Sequence, residues 1–281
     1  MTDPVEQKVF AYYFPQYHSI PENDVVFGKG FTDWDLFHVS NNTGLSACKF
    51  PLPPPAGLGF YNPLEKHVRE HQANLAKKYE VDGFIYYHYW LENKPVMPGV
   101  LDALLTDNEP NLPFCLCFAN DSWKQCYSHT TNGIHKAFHA DGSTFRQLYD
   151  KPKIHAAYLE KLFNHPNYYR IKNRPVLFIY KFTAAVYAYI KQVIDELKQY
   201  GIEDLYLIAN TSAFCLGPYN QEVLARTPDA YSPFTPHIGH PPLPVNLVSL
   251  PCAPGGFVGW NATPRHPNDP RTRDYSPSYI A

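Results

Sequence analysis

A short apolar run that ends abruptly in polar and aromatic residues recurs along this chain and constrains its fold more than any other feature. The first instance is Tyr12-Tyr13-Phe14-Pro15-Gln16-Tyr17-His18, where phenol, amide and imidazole groups follow a segment of core-strand character. Burying such groups is costly unless they are hydrogen-bonded or delivered to a site. A set of apolar strands that each end in such a cluster is typical of the mouth of a βα barrel.

Apolar segments of strand length alternate with segments of helical periodicity. Strands are predicted at residues 8–14, 83–89, 114–119, 175–180, 205–209, 229–231 and 257–260. Helices are predicted at residues 64–79, 100–105, 185–200 and 222–226, and over 144–163 with an interruption near Pro152. This alternation predicts parallel strands joined by right-handed crossovers. The 281 residues suit one α/β domain, a (β/α)8 TIM-barrel-like fold, over residues 1–281.

A long loop is predicted between the first strand and the first helix, at about residues 15–63. The stretch Pro51-Leu52-Pro53-Pro54-Pro55 excludes a helix. Loops of this length inside a compact domain are usually functional or disordered. Its aromatic residues favour an ordered loop folded back on the barrel: Phe27, Phe31, Trp34 and Phe37.

Charge and motif content exclude several classes of function. The formal net charge is -2 and the basic residues are scattered, so neither nucleic acid nor an anionic membrane surface is expected as a partner. Runs of about 18 apolar residues are absent, so no membrane span is predicted. No glycine-rich phosphate loop occurs and no cofactor is expected. The polar, acidic residues 1–8 lack signal-peptide character, which predicts a cytoplasmic location.

The aromatic content is high, with 22 Tyr, 18 Phe and 4 Trp. Tyr and Trp combine a flat apolar face with a polar group, a combination that suits the C–H faces and hydroxyl edges of sugar rings. A core and surface that are simply rich in tyrosine would give the same composition. Composition alone leaves both interpretations open.

Side chains just beyond the ends of parallel strands converge on one face of a barrel. Because polar and aromatic clusters follow each predicted strand, we expect a polar cleft with aromatic walls at that face. The predicted substrate-binding residues are Tyr13, Gln16, His18, Trp34, His88, Trp90, Asn120, Trp123, Tyr180, His237, Trp260, Asn261 and Arg265.

Two aspartates are the predicted catalytic residues. Glycosyl transfer needs a proton donor near the leaving oxygen and a carboxylate that activates a nucleophile or stabilises positive charge. Asp33 and Asp121 each lie near a Trp after a predicted strand and are the best candidates. Helix capping or pairing with a basic side chain is the alternative for each of them.

A competing motif is His67-Val68-Arg69-Glu70-His71, the H-x-x-E-H pattern of inverted zinc proteases. On a helix, His67 and His71 would share a face and could bind zinc. However, the motif falls on a predicted amphipathic helix early in the barrel alternation, and five-residue matches arise by chance. No metal is therefore expected.

These motifs resemble the WbsX-type polysaccharide-biosynthesis glycosyltransferases, a group whose domain is similar in fold to glycoside hydrolase family 99. The resemblance implies a βα barrel that acts on an oligo- or polysaccharide by glycosyl transfer or hydrolysis; the hydrolase relatives cut an α-mannoside inside a chain. The matching stretches keep their order and span nearly the whole chain. They include residues 12–18, 28–34, 57–61, 72–76, 83–90, 114–123, 174–180 and 260–265.

One departure from the family pattern concerns the catalytic acids. Members usually end an eighth strand with a segment carrying two glutamates, which match the catalytic pair of family 99, whereas this chain has no Glu beyond Glu222. The resemblance thus implies a barrel whose eighth strand is missing or atypical. Three interpretations stay open: an enzyme that uses Asp33, Asp121 or another acid; a non-catalytic glycan-binding module; and a truncated product, or a barrel that obtains its missing strand or a cover for its open edges from a second copy or a partner chain.

Overall fold

Strands and helices alternate through the computed structural model, which describes residues 7–35, 58–123, 145–211, 227–233 and 251–255. The first half contains β1 (Phe10–Tyr13), α1 (Pro21–Phe27), α2 (Lys66–Lys78), β2 (Gly83–Leu91), β3 (Lys94–Val96), α3 (Gly99–Asp107) and β4 (Phe114–Phe118). The second half contains α4 (Pro152–Phe163), β5 (Arg170–Ile171), β6 (Arg174–Ile179), α5 (Ala184–Leu197), β7 (Tyr206–Thr211) and β8 (Ala230–Pro233). Predictions for residues 36–57, 222–226 and 257–260 lie outside these ranges.

Six strands form one parallel sheet in the order β1-β2-β4-β6-β7-β8. The short strands β3 and β5 pair antiparallel with β2 and β6 as hairpins. Helices α2, α3, α4 and α5 each lie between two strands that are neighbours in the parallel sheet. Crossover helices between adjacent parallel strands confirm the predicted α/β class.

A hydrogen bond across the inside of the sheet shows that the sheet is curled. The Tyr12 hydroxyl donates to Asn210 Oδ1 at 3.0 Å, although β1 and β7 are four strand positions apart. In a flat sheet those strands would lie about 19 Å apart, beyond the reach of the two side chains. The Tyr12 and Phe178 rings also meet, with centroids 6.0 Å apart. The sheet therefore forms a curled half-barrel, which confirms the predicted barrel-like fold.

Strand register divides the side chains into an inner and an outer face. Tyr12 pairs with Ile85, two residues before Tyr87, and Tyr87 pairs with Cys117, so these residues share the inner, concave face. Cys117 pairs with Phe178, which extends that face towards β7. Successive strand residues point to opposite faces, and the intervening residues face the helices.

Gly83 allows close packing where β1 and β2 begin. A Cβ atom on Gly83 would clash with both a ring carbon of Phe10 and the carbonyl oxygen of Pro113. Phe10 in turn packs on Tyr169, with ring centroids 4.7 Å apart, and the Tyr169 amide donates to the Phe114 carbonyl. Only glycine lets these groups approach so closely.

Helix α5 shows how the outer layer is built from sequence signals. Thr183 caps its N-terminus by accepting a hydrogen bond from the Val186 amide at 3.2 Å. The predicted apolar stripe is buried against the sheet: Val186, Ile190, Val193, Ile194 and Leu197. Within the described residues, no helix is both long and apolar enough to cross a lipid bilayer.

The start of the predicted loop is partly helical, although no helix was predicted there. Helix α1 begins at Pro21, a residue pre-organised for the first turn of a helix, and packs Val26 against Leu91 and Met97 in a second small core. The β2–β3 hairpin was also missed. Its turn residues Glu92 and Asn93 both have positive φ, as a tight hairpin turn requires.

Removing the Tyr12 hydroxyl tests whether the interior hydrogen bond stabilises the curl. We expect Tyr12→Phe to lower the free energy of unfolding by about 1–3 kcal/mol, because the fully buried Asn210 loses its hydroxyl donor. Urea unfolding measures this as a lower midpoint at an unchanged slope. The control Tyr200→Phe, at an exposed ring, should leave the midpoint unchanged. Equal stability of Tyr12→Phe and the unsubstituted protein would contradict the assignment.

Candidate functional site

A cluster of aromatic rings lines the concave face towards the carboxyl ends of the strands. Tyr87 is at its centre, and its ring centroid lies 5.7 Å from Tyr12, 5.9 Å from Phe14, 6.1 Å from Tyr89 and 6.4 Å from Tyr180. All five side chains are half-buried, so parts of their rings remain open to solvent. Burial raises the pKa of Tyr87, which keeps its phenol protonated and able to donate a hydrogen bond.

Trp123 extends this cluster beyond the end of β4. Its ring lies edge-on to Tyr89 at 5.3 Å, and its backbone exchanges two hydrogen bonds with Phe145. The indole is half-buried. We call the six residues the aromatic wall: Tyr12, Phe14, Tyr87, Tyr89, Trp123 and Tyr180.

Polar side chains join the residues that follow β4 to those that follow β6. The carboxamide of Asn120 donates to the Lys181 carbonyl at 2.8 Å and accepts from the Lys181 amide at 2.8 Å. The Lys181 ammonium then reaches Asp121 Oδ2 at 2.7 Å. A carboxylate and an ammonium therefore lie together at the strand ends, where a bound ligand could contact both.

Three of the four predicted site residues in the first loop are buried, and the fourth, Trp34, is half-buried. Gln16, His18 and Asp33 are all buried, and the Asp33 amide donates to the Gln16 carbonyl at 3.3 Å. The Trp34 indole N–H donates to the Tyr61 carbonyl at 2.9 Å. Desolvation lowers the pKa of His18, so its imidazole is neutral at neutral pH.

His88 and Trp90 lie on the outer face of β2 rather than on the concave face. His88 Nε2 is 2.8 Å from Nε2 of His155 in α4, and His155 Nδ1 is 2.9 Å from the Tyr189 hydroxyl in α5. Trp90 stacks on His155 at 4.2 Å with its plane tilted by 9°. Both predicted residues are almost fully buried. They pack the helices onto the sheet, away from the aromatic wall.

Alternation along β2 explains this placement and the residues that were missed. The strand runs on to Leu91, two residues beyond the predicted end, so the alternation persists through the whole aromatic stretch. Tyr87 and Tyr89 therefore face inward while His88 and Trp90 face outward. The predicted set included the outward pair and omitted the inward one, which period-two alternation could have identified.

Tyr13 lies on the outer face of β1, beside Tyr12 of the aromatic wall. Its hydroxyl donates to Gln72 Oε1 at 2.8 Å. Together with Leu75 of α2 and Tyr79, the residue after α2, it lines a mainly apolar groove of about 360 Å³. The predicted residues His237, Trp260, Asn261 and Arg265 lie outside the described residues.

The two histidines of the zinc-protease motif lie at exposed positions of α2. His67 and His71 are both exposed, and Glu70 lies 3.8 Å from the Lys66 ammonium. Across the described ranges, no three His, Cys, Asp or Glu side chains converge as metal ligands would. The structure thus provides no support for the zinc alternative.

The sequence matches the family model of the WbsX glycosyltransferases over residues 9–249. The chain belongs to the WbsX glycosyltransferase family. Two proteins described as uncharacterized protein WxcX, from two strains of Xanthomonas campestris pv. campestris, are each 33% identical over 173 residues. The match covers 61% of this chain and 23% of either relative. The chain thus spans about a quarter of the length of the curated relatives it matches.

Solved structures of a GH99 endo-alpha-mannosidase from Bacteroides thetaiotaomicron share the fold of this WbsX-family chain. One superposes with a TM-score of 0.54 at 14% identity and covers 98% of this chain and 80% of the other. The same enzyme in complex with bis-tris-propane gives a TM-score of 0.53 at 16% identity, covering 97% and 76%. At such low identity the likeness concerns the fold alone, and it agrees with the half-barrel described above.

The buried His88–His155 pair predicts a loss of stability in acid. Desolvation lowers the pKa of His88 to about 3, and desolvation and His88 both lower the pKa of His155. Protons therefore bind these histidines more tightly in the unfolded chain than in the folded one. The stability that the two neutral imidazoles contribute is fully present above pH about 6.5. It is lost as the pH falls from there towards 3, by up to about 1.4 kcal/mol per pH unit for each histidine.

Urea unfolding measured from about pH 7.5 to about pH 4.5 gives this slope, because these limits bracket the pKa of a histidine in an unfolded chain. We expect His155→Gln to show a shallower slope than the unsubstituted protein, because one buried neutral imidazole is removed. His71→Gln, at an exposed position of α2, should keep the original slope. If His155→Gln retained the full slope, the buried pair would not be the cause.

Proposed function

We propose that this chain binds and processes a glycan on the concave face of its half-barrel. The observation that carries the proposal is the aromatic wall, six half-buried rings on the concave face, together with a carboxylate and an ammonium that follow β4 and β6. Half-buried aromatic rings offer flat apolar surfaces for the C–H faces of sugars. Neighbouring polar groups can bind the hydroxyl edges of the same rings.

The comparisons support a glycan as substrate and favour one sugar. Membership of the WbsX family places this chain among proteins described as glycosyltransferases. The endo-alpha-mannosidase of similar fold acts on a mannose-containing glycan by its name, so we propose an α-mannoside-like substrate. The match covers only 23% of the length of the WxcX relatives, so the activity of the whole protein is likewise proposed.

Two aspartates are proposed as the acids of the reaction. Asp121 stands at the strand ends beside Lys181, where it can contact a ligand held on the aromatic wall. Asp33 is buried in the first loop, and its backbone amide donates a hydrogen bond to the Gln16 carbonyl. In glycosyl transfer or hydrolysis one carboxyl group protonates the leaving oxygen, and the other stabilises positive charge or activates the nucleophile.

A glycan-binding module without turnover is the second candidate function. It is favoured by one observation, the engagement of both candidate acids within the protein: Asp121 is paired with Lys181, and Asp33 is buried. A cytoplasmic location, and a second copy or partner chain that covers the open sheet edges, remain predictions from the sequence.

Calorimetric titration with an α-linked mannotriose tests the binding proposal. We expect binding by the unsubstituted protein and about tenfold weaker binding by Trp123→Ala, because one stacking face is lost. The control Tyr200→Ala, at an exposed ring away from the wall, should bind like the unsubstituted protein. Thermal unfolding checks that each variant is folded, and Tyr180→Ala repeats the test at a second ring. No binding of any α-mannoside would contradict the proposal.

Turnover of the same glycans separates the enzyme from the binding module. The assay offers α-mannosides alone for hydrolysis, and α-mannosides with sugar nucleotides for transfer. If the chain is an enzyme, Asp121→Asn and Asp33→Asn should each lower the rate by at least about 100-fold, the usual contribution of a general acid or base. Binding without turnover would establish the module and exclude the two aspartates as catalytic residues.

A further inference from the structure

The pair formed by Asp121 and Lys181 is held in place from two sides. Asn120 is 5% exposed, and its carboxamide makes two hydrogen bonds of 2.8 Å with the backbone of Lys181. The Lys181 ammonium then donates to Asp121 Oδ2 at 2.7 Å. The buried amide fixes the backbone from which the lysine side chain extends. Asn120 therefore fixes the backbone of Lys181, and Asp121 orients the Lys181 ammonium.

The exposure of this pair argues against a purely structural role. The Lys181 and Asp121 side chains are 32% and 49% exposed. Ion pairs that are this accessible contribute little to stability, because water screens them and their side chains lose freedom on pairing. The pair nevertheless stands at the ends of two adjacent inner strands, β4 and β6. Such positions face the ligand in parallel α/β barrels.

Two residues of the aromatic wall are close to the pair along the chain. Tyr180 directly precedes Lys181 and contacts Tyr87, while Trp123 follows two residues after Asp121 and contacts Tyr89. A sugar ring that stacks on the wall here would bring its hydroxyl edge to the ammonium and the carboxylate. Tyr180 and Trp123 of the aromatic wall and both members of the pair thus follow the carboxyl ends of β4 and β6.

We propose that Lys181 and Asp121 form a diol-binding pair that determines which glycans this site accepts. This inference rests on the proposed function and names the feature of the sugar that is recognised. Asp121 accepts a hydrogen bond from one ring hydroxyl, and Lys181 donates to the oxygen of the neighbouring hydroxyl. Neighbouring ring hydroxyl oxygens lie about as far apart as the two heavy atoms of a hydrogen bond, which matches the separation of the pair.

The chemistry of the pair sets the class of ligand. A carboxylate only accepts hydrogen bonds and an ammonium only donates them, so a hydroxyl, which does both, suits either position. The pair carries no net charge, so it favours a neutral sugar with two free neighbouring hydroxyls over an acidic one. Methylation of the hydroxyls removes their donors and adds bulk, which should abolish the contact.

A cycle of two proteins and two ligands tests this proposal. Calorimetry compares the unsubstituted protein and Lys181→Met, each with α-linked mannotriose and with the same trisaccharide methylated on its hydroxyls. We expect the unsubstituted protein to bind the free trisaccharide about 10- to 100-fold more tightly than Lys181→Met does, the usual effect of hydrogen bonds to a charged group. Both proteins should bind the methylated trisaccharide equally weakly. A variant that merely perturbed the structure would weaken both ligands alike.

Two further variants serve as controls. Lys181→Arg keeps a cationic donor and should recover most of the affinity, whereas Lys198→Met removes a lysine from an exposed pair with Asp195 and should change nothing. Asp121→Asn should show the same dependence on free hydroxyls as Lys181→Met. Equal binding of the free trisaccharide by the unsubstituted protein and Lys181→Met would overturn the diol-binding pair alone. Failure of the unsubstituted protein to bind any α-mannoside would overturn the proposed function as well.

Discussion

The hydrogen bond between Tyr12 and Asn210 reflects the constraint on which the rest of the structure depends, the curl of the parallel sheet. A flat sheet would separate β1 from β7, and its two faces would both need covering by helices. Curling turns one face into a concave interior that side chains from several strands fill together. The aromatic wall exists because of this geometry, since Tyr12 lies in β1 and Tyr180 directly follows β6, and these strands are not neighbours in the sheet.

Strand β2 shows how one segment serves both the core and the candidate site. Its nine residues are aromatic for most of their length, so composition gives no distinction between them. The pleat sends Tyr87 and Tyr89 to the concave face, where they meet other rings at the strand ends. It sends His88 and Trp90 to the helices, where the imidazole bonds to His155 and the indole stacks on that ring. The face of the strand therefore decides the role of each residue more than its chemistry does.

The sequence predicted the regular elements well because their signals are local. The stripe of α5, from Val186 to Leu197, and the apolar strand at residues 114–118 needed only periodicity and length. Helix α1 was missed, since its Pro, Asn and Asp content resembles a turn and its Val26 is buried by distant partners such as Leu91. From the sequence, Asp121 was predicted only to pair with some basic side chain, and the identity of that residue was not predicted. Lys181 lies 60 residues away and becomes its neighbour only because β4 and β6 are adjacent.

By itself the sequence determined the α/β class, the family and the place where polar and aromatic residues collect, at the ends of strands. These follow from periodicity, motif order and residue type, which adjacent residues along the chain already contain. Tertiary structure alone decided which of those residues share a surface. Tyr13 and Trp90 turned away from the concave face, and Asn120 was committed to fixing the Lys181 backbone rather than left free for a ligand. The physical reason is that strand register and sheet curl bring distant segments together, and neither is a property of any one segment.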